Sequence, residues 1–92
     1  MIVSFSDKET EKIWRGERSR KLPLDIQDRA LNKLTLLDAA KRLEDLRLPP
    51  SNRLEEFSGA RKGEWKMRIN DQWRLCFRWN GDALDVKIED YH

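Results

Sequence analysis

From Gly63 onward the chain alternates apolar and polar residues with a period of two, and this constrains its fold more than any other feature. Trp65, Met67 and Ile69 share one face, with Glu64, Lys66 and Arg68 on the other. After Asn70-Asp71-Gln72, the residues Trp73, Leu75, Phe77 and Trp79 alternate with Arg74, Cys76 and Arg78. After Asn80-Gly81, Leu84, Val86 and Ile88 alternate with Asp85, Lys87 and Glu89. Period two is the spacing of a strand with one buried face. Asn-Gly between two such runs predicts a tight hairpin, because both central residues of a type I′ turn need positive φ. With Asn80 and Gly81 as the loop, Phe77 faces Leu84, Leu75 faces Val86 and Trp73 faces Ile88, so every pair is apolar. A turn at Asn70–Gln72 sets Ile69 against Trp73, Met67 against Leu75 and Trp65 against Phe77. The C-terminal third is expected to be an antiparallel three-stranded meander.

Upstream the spacing is helical. Ile2 to Phe5 reads as a short strand, β-branched and aromatic. Ser6 or Asp7 is an N-cap, with a helix from Asp7 to about Arg15 that turns Ile13 and Trp14 inward. Arg15 to Lys21 holds Arg15, Arg18, Arg20 and Lys21 against Glu17 and has no apolar residue, so it is a loop. Pro23 opens the next element, where Ile26, Ala30, Leu34, Leu37, Ala40 and Leu43 or Leu46 recur at helical spacing. Pro49-Pro50 stops it. A break near Leu37-Asp38 is expected, with Asp38 capping a second helix. Ser51 to Lys62 is a connector. The predicted class is α+β: an N-terminal strand, and two or three helices on the apolar face of the meander. At 92 residues and 11.0 kDa the chain is expected to form one domain, 1–92.

Composition narrows the chemistry. Charged residues are 39% of the chain, yet 19 basic against 17 acidic side chains nearly balance, and four Trp supply core area. Such a chain folds despite its polarity. One cysteine, Cys76, excludes a disulfide framework or zinc cluster and suits a reducing cytoplasm. One histidine, His92, excludes a His-rich metal site, so neither a metal nor another cofactor is expected. No apolar run approaches the ~20 residues of a membrane span, and Met1 to Phe5 is too short and polar to read as a signal peptide.

The polar face of the meander carries the functional signal. The register above places Arg68 opposite Arg74 and Arg74 opposite Lys87. Like charges directly opposite one another destabilise a sheet, so such a row wants an anion. Lys66, Arg78 and Tyr91 share that face, and Ser58 to Trp79 holds six basic residues against two acidic ones. A solvated face that discourages edge pairing is the plainer reading. Arg at both row centres points instead to phosphate, whose oxygens a guanidinium fork binds bidentately. Trp65, Trp73 and Trp79 fall to the core by parity, leaving Tyr91 as the aromatic able to stack on a nucleobase. His92 is the one side chain with an ordinary pKa near neutrality, and it follows Asp90 and Tyr91 on a strand expected to end beside Arg74. Cys76 lies between two arginines that could lower its thiol pKa, but with no base partner nearby in sequence it reads as a bystander.

Met1-Ile2-Val3-Ser4-Phe5, Leu36-Leu37-Asp38-Ala39-Ala40, Arg68 to Phe77, Asn80-Gly81-Asp82 and Glu89-Asp90-Tyr91-His92 together resemble the HigB branch of the RelE superfamily. These are small toxin endoribonucleases of bacterial toxin–antitoxin pairs. The resemblance implies an mRNA interferase that enters the ribosomal A site, with a HigA-like helix-turn-helix antitoxin through which alone it would meet DNA. It carries catalytic or binding roles onto Asp90, Tyr91, His92 and Arg74. Arg68, Lys87, Lys66 and Arg78 are phosphate-binding candidates from the sheet face itself, and Arg18, Arg20 and Lys21 are candidates for ribosome contact. Some members have His where this chain has Glu55 and Lys where it has Ser58, which leaves His92 as the only imidazole.

The implied chemistry uses the ribose 2′-OH as internal nucleophile. A base takes its proton, Arg74 stabilises charge on the phosphate, and an acid protonates the leaving 5′-oxygen. His92 makes one proton transfer; Asp90 orients it or is the partner base, and Tyr91 stacks on a base or positions the 2′-OH. Two other readings stay open: a non-catalytic RNA- or ribosome-binding module, and a subunit that docks an acidic protein on its basic face.

Overall fold

The computed structural model describes residues 1–91. Helices α1 (Lys8–Trp14) and α2 (Leu24–Ala39) cover one face of an antiparallel sheet. Its strands β1 (Glu55–Glu56), β2 (Glu64–Arg68), β3 (Trp73–Trp79) and β4 (Ala83–Asp90) lie in the order β1-β2-β3-β4. The class is the expected α+β.

Asp7 begins α1 by accepting from the backbone N–H groups of Glu9 (3.3 Å) and Thr10 (3.2 Å). The helix sends Ile13 into the core and sets Trp14 against its margin. α2 buries Ile26, Ala30, Leu34 and Leu37, the stripe its spacing predicts. It ends at Ala39, and a 3₁₀ turn at Leu43–Arg47 brings Leu46 back to the core. Asp38 does not cap this second element. Its Oδ1 accepts from the N–H of Ile2 (2.9 Å), and Asp45 accepts instead from the N–H groups of Lys41 and Arg42, each at 3.0 Å.

The β2–β3 register is the expected one, with Trp65 opposite Phe77, Met67 opposite Leu75 and Arg68 opposite Arg74. The β3–β4 register differs in two places. Trp79 pairs with Ala83, so the loop is Asn80-Gly81-Asp82 rather than Asn80-Gly81. Asn80 Oδ1 accepts from the N–H of Asp82 (3.2 Å), and Gly81 takes φ +101°. Further along, Arg78 faces Leu84 while Cys76 faces Lys87, so Asp85 and Val86 together oppose Phe77. This is a β-bulge, and Asp85 adopts φ +52° within it. Each irregularity slips the register by one residue, and two slips restore parity. Val86 and Ile88 therefore stay buried, but Leu75 faces Ile88, Trp73 faces Asp90 and Arg74 faces Glu89. Between loop and bulge the faces are exchanged: Ala83 is fully buried and Leu84 is not.

Two further elements depart from the period-based reading. Met1–Ser6 joins β4 through isolated parallel bridges, Ile2 to Ala83 and Phe5 to Val86. At Asp85 side chains replace the ladder: its N–H donates to Ser4 Oγ (2.9 Å) and its carbonyl accepts from Ser6 Oγ (3.2 Å). In the expected connector, β1 pairs Glu55 with Lys66 and Glu56 with Trp65, making a fourth strand too short to show a period. Among the described residues no helix is long and apolar enough to cross a membrane.

Candidate nucleic-acid interface and active site

On the polar face, pleating aims alternate side chains of β2, β3 and the end of β4 outward. Tyr91 folds back over this face, tied by its N–H to the carbonyl of Gln72 (2.6 Å). Two cations border its ring, with Lys66 Nζ 4.3 Å and Arg74 Cζ 5.0 Å from the centroid. Lys66 also donates to the phenol oxygen at 2.6 Å. Phe57, just past β1, continues the pattern, with Lys66 Nζ 4.8 Å and Arg61 Cζ 3.9 Å from its centroid. The outward face is thus a ladder of alternating cations and rings: Arg61, Phe57, Lys66, Tyr91, Arg74. Phe57 and Arg61 belong to the connector in sequence, and only the pairing of β1 with β2 brings them here.

Arg74 is positioned by the β2–β3 turn. Its Nη1 donates to the carbonyls of Asn70 and Trp73, the latter at 3.2 Å. Asn70 in turn shapes that turn by accepting from the N–H groups of Gln72 (2.9 Å) and Trp73 (2.7 Å). Both Arg74 bonds leave from one nitrogen of a side chain that carries five N–H donors. With Tyr91 44% exposed, a guanidinium and an aromatic ring in contact with it share this surface.

The expected cationic row Arg68–Arg74–Lys87 is corrected by the two register slips. Glu89 stands opposite Arg74, so the sheet supplies a carboxylate of its own where an external anion was expected. Glu89 accepts from Arg61 Nη2 (2.5 Å) and Nη1 (3.1 Å), while Glu64 accepts from Arg61 Nη2 (3.0 Å) and Nε (3.1 Å). The Arg61 guanidinium is the main cause holding both carboxyls below their ordinary range. Lys87 Nζ lies 3.8 Å from Glu89, and Arg78 lies 3.9 Å from both Glu64 and Asp85. Lys87 and Arg78 thus have carboxylate neighbours in the sheet, whereas Lys66 and Arg74 border Tyr91.

Cys76 sits beneath this network, 1% exposed. Burial, then the Glu89 charge and the hydrogen bond the thiol donates to it, push its pKa up to about 12. The flanking arginines do not activate it. Among the described residues no group of three or more His, Cys, Asp or Glu is placed to hold a metal ion.

A surface that pairs rings with cations in this way is chemically suited to a stacked base and its phosphate. Over residues 3–92 the chain matches the RelE-like toxin family of the type II toxin–antitoxin system HigB. It belongs to the HigB-like toxins. It is 39% identical over 93 residues to Toxin HigB-1 of Vibrio cholerae serotype O1, an alignment covering 99% of this chain and 98% of that protein. A protein of Haemophilus influenzae described as uncharacterized is 27% identical over 77 residues, covering 84% of this chain and 76% of that one. A type II toxin has an antitoxin for a partner.

In this HigB-like toxin the other expected site residues are dispersed. Asp90 stands opposite Trp73, so strand alternation sets it on the other side of β4 from Glu89, and it accepts from Gln72 Nε2 (3.2 Å). Of Asp90, Tyr91 and His92, all three expected beside Arg74, Tyr91 lies against the guanidinium. His92 lies outside the described residues. Arg18, Arg20 and Lys21 are exposed on a loop that is pinned from within. Ser19 there is buried, and Gln27 of α2 both accepts from its N–H (3.0 Å) and donates to its carbonyl (2.9 Å). Arg18 lies 3.7 Å from Asp28. Glu55 and Ser58, where some family members carry His and Lys, are both exposed, at and just beyond β1.

Proposed function

We propose that the chain, acting as one domain over 1–92, is an endoribonuclease that cuts mRNA in the ribosomal A site and so stops translation in the cytoplasm. The observation that carries this reading is the exposed Tyr91 ring bordered by Lys66 and Arg74. A nucleobase stacks on the ring while the adjoining phosphate meets the guanidinium. The ribose 2′-OH then attacks that phosphate, and negative charge gathers on its oxygens, where Arg74 and Lys66 stabilise it. His92 carries one of the two proton transfers, and Asp90, fixed by Gln72, orients it or serves as the other partner. The nucleophile belongs to the substrate, so the reaction as proposed uses no metal or other cofactor. It leaves a 2′,3′-cyclic or 3′ phosphate upstream.

The ribosome enters for a physical reason. The ladder is an open surface and the chain carries a net charge of only +2, so its general hold on RNA is weak. The A site supplies the in-line geometry, and Arg18, Arg20 and Lys21 on their pinned loop contact ribosomal RNA. The antitoxin is a HigA-like helix-turn-helix protein, and DNA is reached only through it.

The test compares one mRNA, naked and on translating ribosomes, with cleavage sites mapped by primer extension and product ends identified. Cutting within the A-site codon, only on ribosomes and undiminished by EDTA added to a preformed complex, is the expected result. Equal cutting of naked RNA would indicate a free-standing nuclease. No cutting, with RNA binding retained, would indicate a binding module.

A further inference from the structure

Between α2 and the end of β2 lies a cleft of about 330 Å³, lined by Arg29, Asn32, Lys33, Ser51, Arg68 and Ile69. Its charged residues are all basic. Arg29 and Lys33 are one helical turn apart on α2 and project from the same side. Lys33 donates to Asn52 Oδ1 at 2.5 Å, a neutral acceptor that holds the ammonium in place without cancelling its charge. Burial, then the charges of Arg68 and Arg29, lower its pKa from the usual lysine value. Arg68 spends Nη2 on Asp71 (2.6 Å), whose side chain is 98% exposed. Its Nε is buried and has no hydrogen-bond partner among the described residues. A buried guanidinium N–H without an acceptor is an uncommon and costly arrangement.

We propose that this cleft binds a phosphodiester of single-stranded RNA, next along the strand from the phosphate that meets Arg74. The inference rests on reading the Tyr91 face as an RNA-engaging surface. Arg68 joins the two places, since it lines the cleft and stands directly opposite Arg74 in the β2–β3 ladder. Paired Cα atoms in such a ladder are only about 4.5–5.5 Å apart. A phosphate's non-bridging oxygens match what lines the cleft: the Arg68 guanidinium, whose Nε lacks an acceptor, the Lys33 ammonium and the Arg29 guanidinium. The neighbouring stacking ring favours a nucleic-acid strand over an acidic peptide, because alternating rings and cations serve bases and phosphates together.

Arg29 is the position to test, because it is exposed and lies at the cleft's margin rather than in the core. The probes are inorganic phosphate and a short uncleavable 2′-O-methyl oligoribonucleotide, applied to the full chain. Inorganic phosphate should shift the backbone amide resonances of Lys33, Ser51 and Arg68 in the wild type and leave them unmoved in Arg29→Glu. Arg29→Gln should weaken oligonucleotide binding about five- to tenfold and lower the salt slope by about 0.7, the share of one phosphate contact on a single strand. Arg29→Glu should weaken it further, with circular dichroism and melting temperature unchanged in both variants. Wild-type affinity and slope in both would overturn the proposal. So would retained RNA affinity in Arg29→Glu alongside weakened binding of the antitoxin, which would make the cleft a protein-docking site. Ribosomal cleavage is read separately. Its absence from the wild type, with cleft binding intact, would fail the nuclease reading and leave the cleft standing.

Discussion

Cys76 and Arg74 are near neighbours on β3 and point the same way, yet their surroundings give them opposite characters. Cys76 is sealed under the Arg61–Glu64–Glu89 network, and burial pushes its thiol pKa up to about 12. Thiolate is the reactive form, so native protein at pH 8 should react with a disulfide reagent about a thousandfold more slowly than its denatured form. Fast native labelling, followed by absorbance, would mean that the Cys76 thiol is open to solvent. Arg74 is half-buried beside Tyr91 and aimed by the Asn70 carbonyl. Replacing it with Ala should lower ribosomal cleavage about a hundred- to a thousandfold, the usual cost of losing a donor to developing charge. Arg74→Lys should recover only part, since an ammonium lacks the fork. Single-turnover cleavage rates decide both, and full activity in the Lys variant would reduce Arg74 to a diffuse charge. That Arg74 and Tyr91 share a face was legible from strand parity. That Glu89 rather than Lys87 faces Arg74 was not, because parity fixes the face of a residue and leaves its partner open.

At the scale of elements, Arg61 is the clamp of the sheet's polar face, joining the turn before β2 to Glu64 on β2 and Glu89 on β4. Both carboxyls have lowered pKa values, chiefly through hydrogen bonds from Arg61. Groups depressed in this way add stability that is fully present above the unfolded carboxylate range. It is lost as pH falls through their folded values, below about pH 4.5. Denaturant unfolding at pH 6, 4 and 3 should therefore show declining stability in the wild type. Arg61→Ala should be less stable at pH 6 by about 1–2 kcal/mol, with solvent screening of this partly exposed side chain allowed for, and should depend less on pH over that window. A parallel decline in both proteins would remove Arg61 from the account. The bulge belongs to this scale too. Positive φ in a strand is usual for Gly, and here it falls on Asp85, held by Ser4 and Ser6 from the N-terminal segment.

Across the whole molecule, one buried hydroxyl couples helix to sheet. Thr10 donates to Asp7 (2.7 Å) at the start of α1 and accepts from the N–H of Ile88 on β4 (2.9 Å). Thr10→Val keeps the shape and strands that N–H in the core, which should cost about 2–3 kcal/mol. For a domain of this size the melting temperature should drop by about 10 °C or more. Thr10→Ser keeps both bonds and should cost about 1 kcal/mol, the loss of a methyl contact. Thermal unfolding followed by circular dichroism separates the two, and a stable Val variant would mean that Ile88 finds another acceptor.

The class, the β2–β3 register, the inward face of α2 and the placing of Tyr91, Lys66 and Arg74 on one polar surface could all be read from the chain. Each follows from a local period or a short turn, where side-chain spacing and chain reach leave one solution. Tertiary structure decided the rest. The Asp85 bulge depends on serines some 80 residues away in sequence, and β1 exists only because Lys66 and Trp65 offer it a ladder. The cleft needs Arg29 and Arg68 from separate elements to converge. Contacts of that separation leave no period in the chain, because they are selected by packing after the local elements have formed.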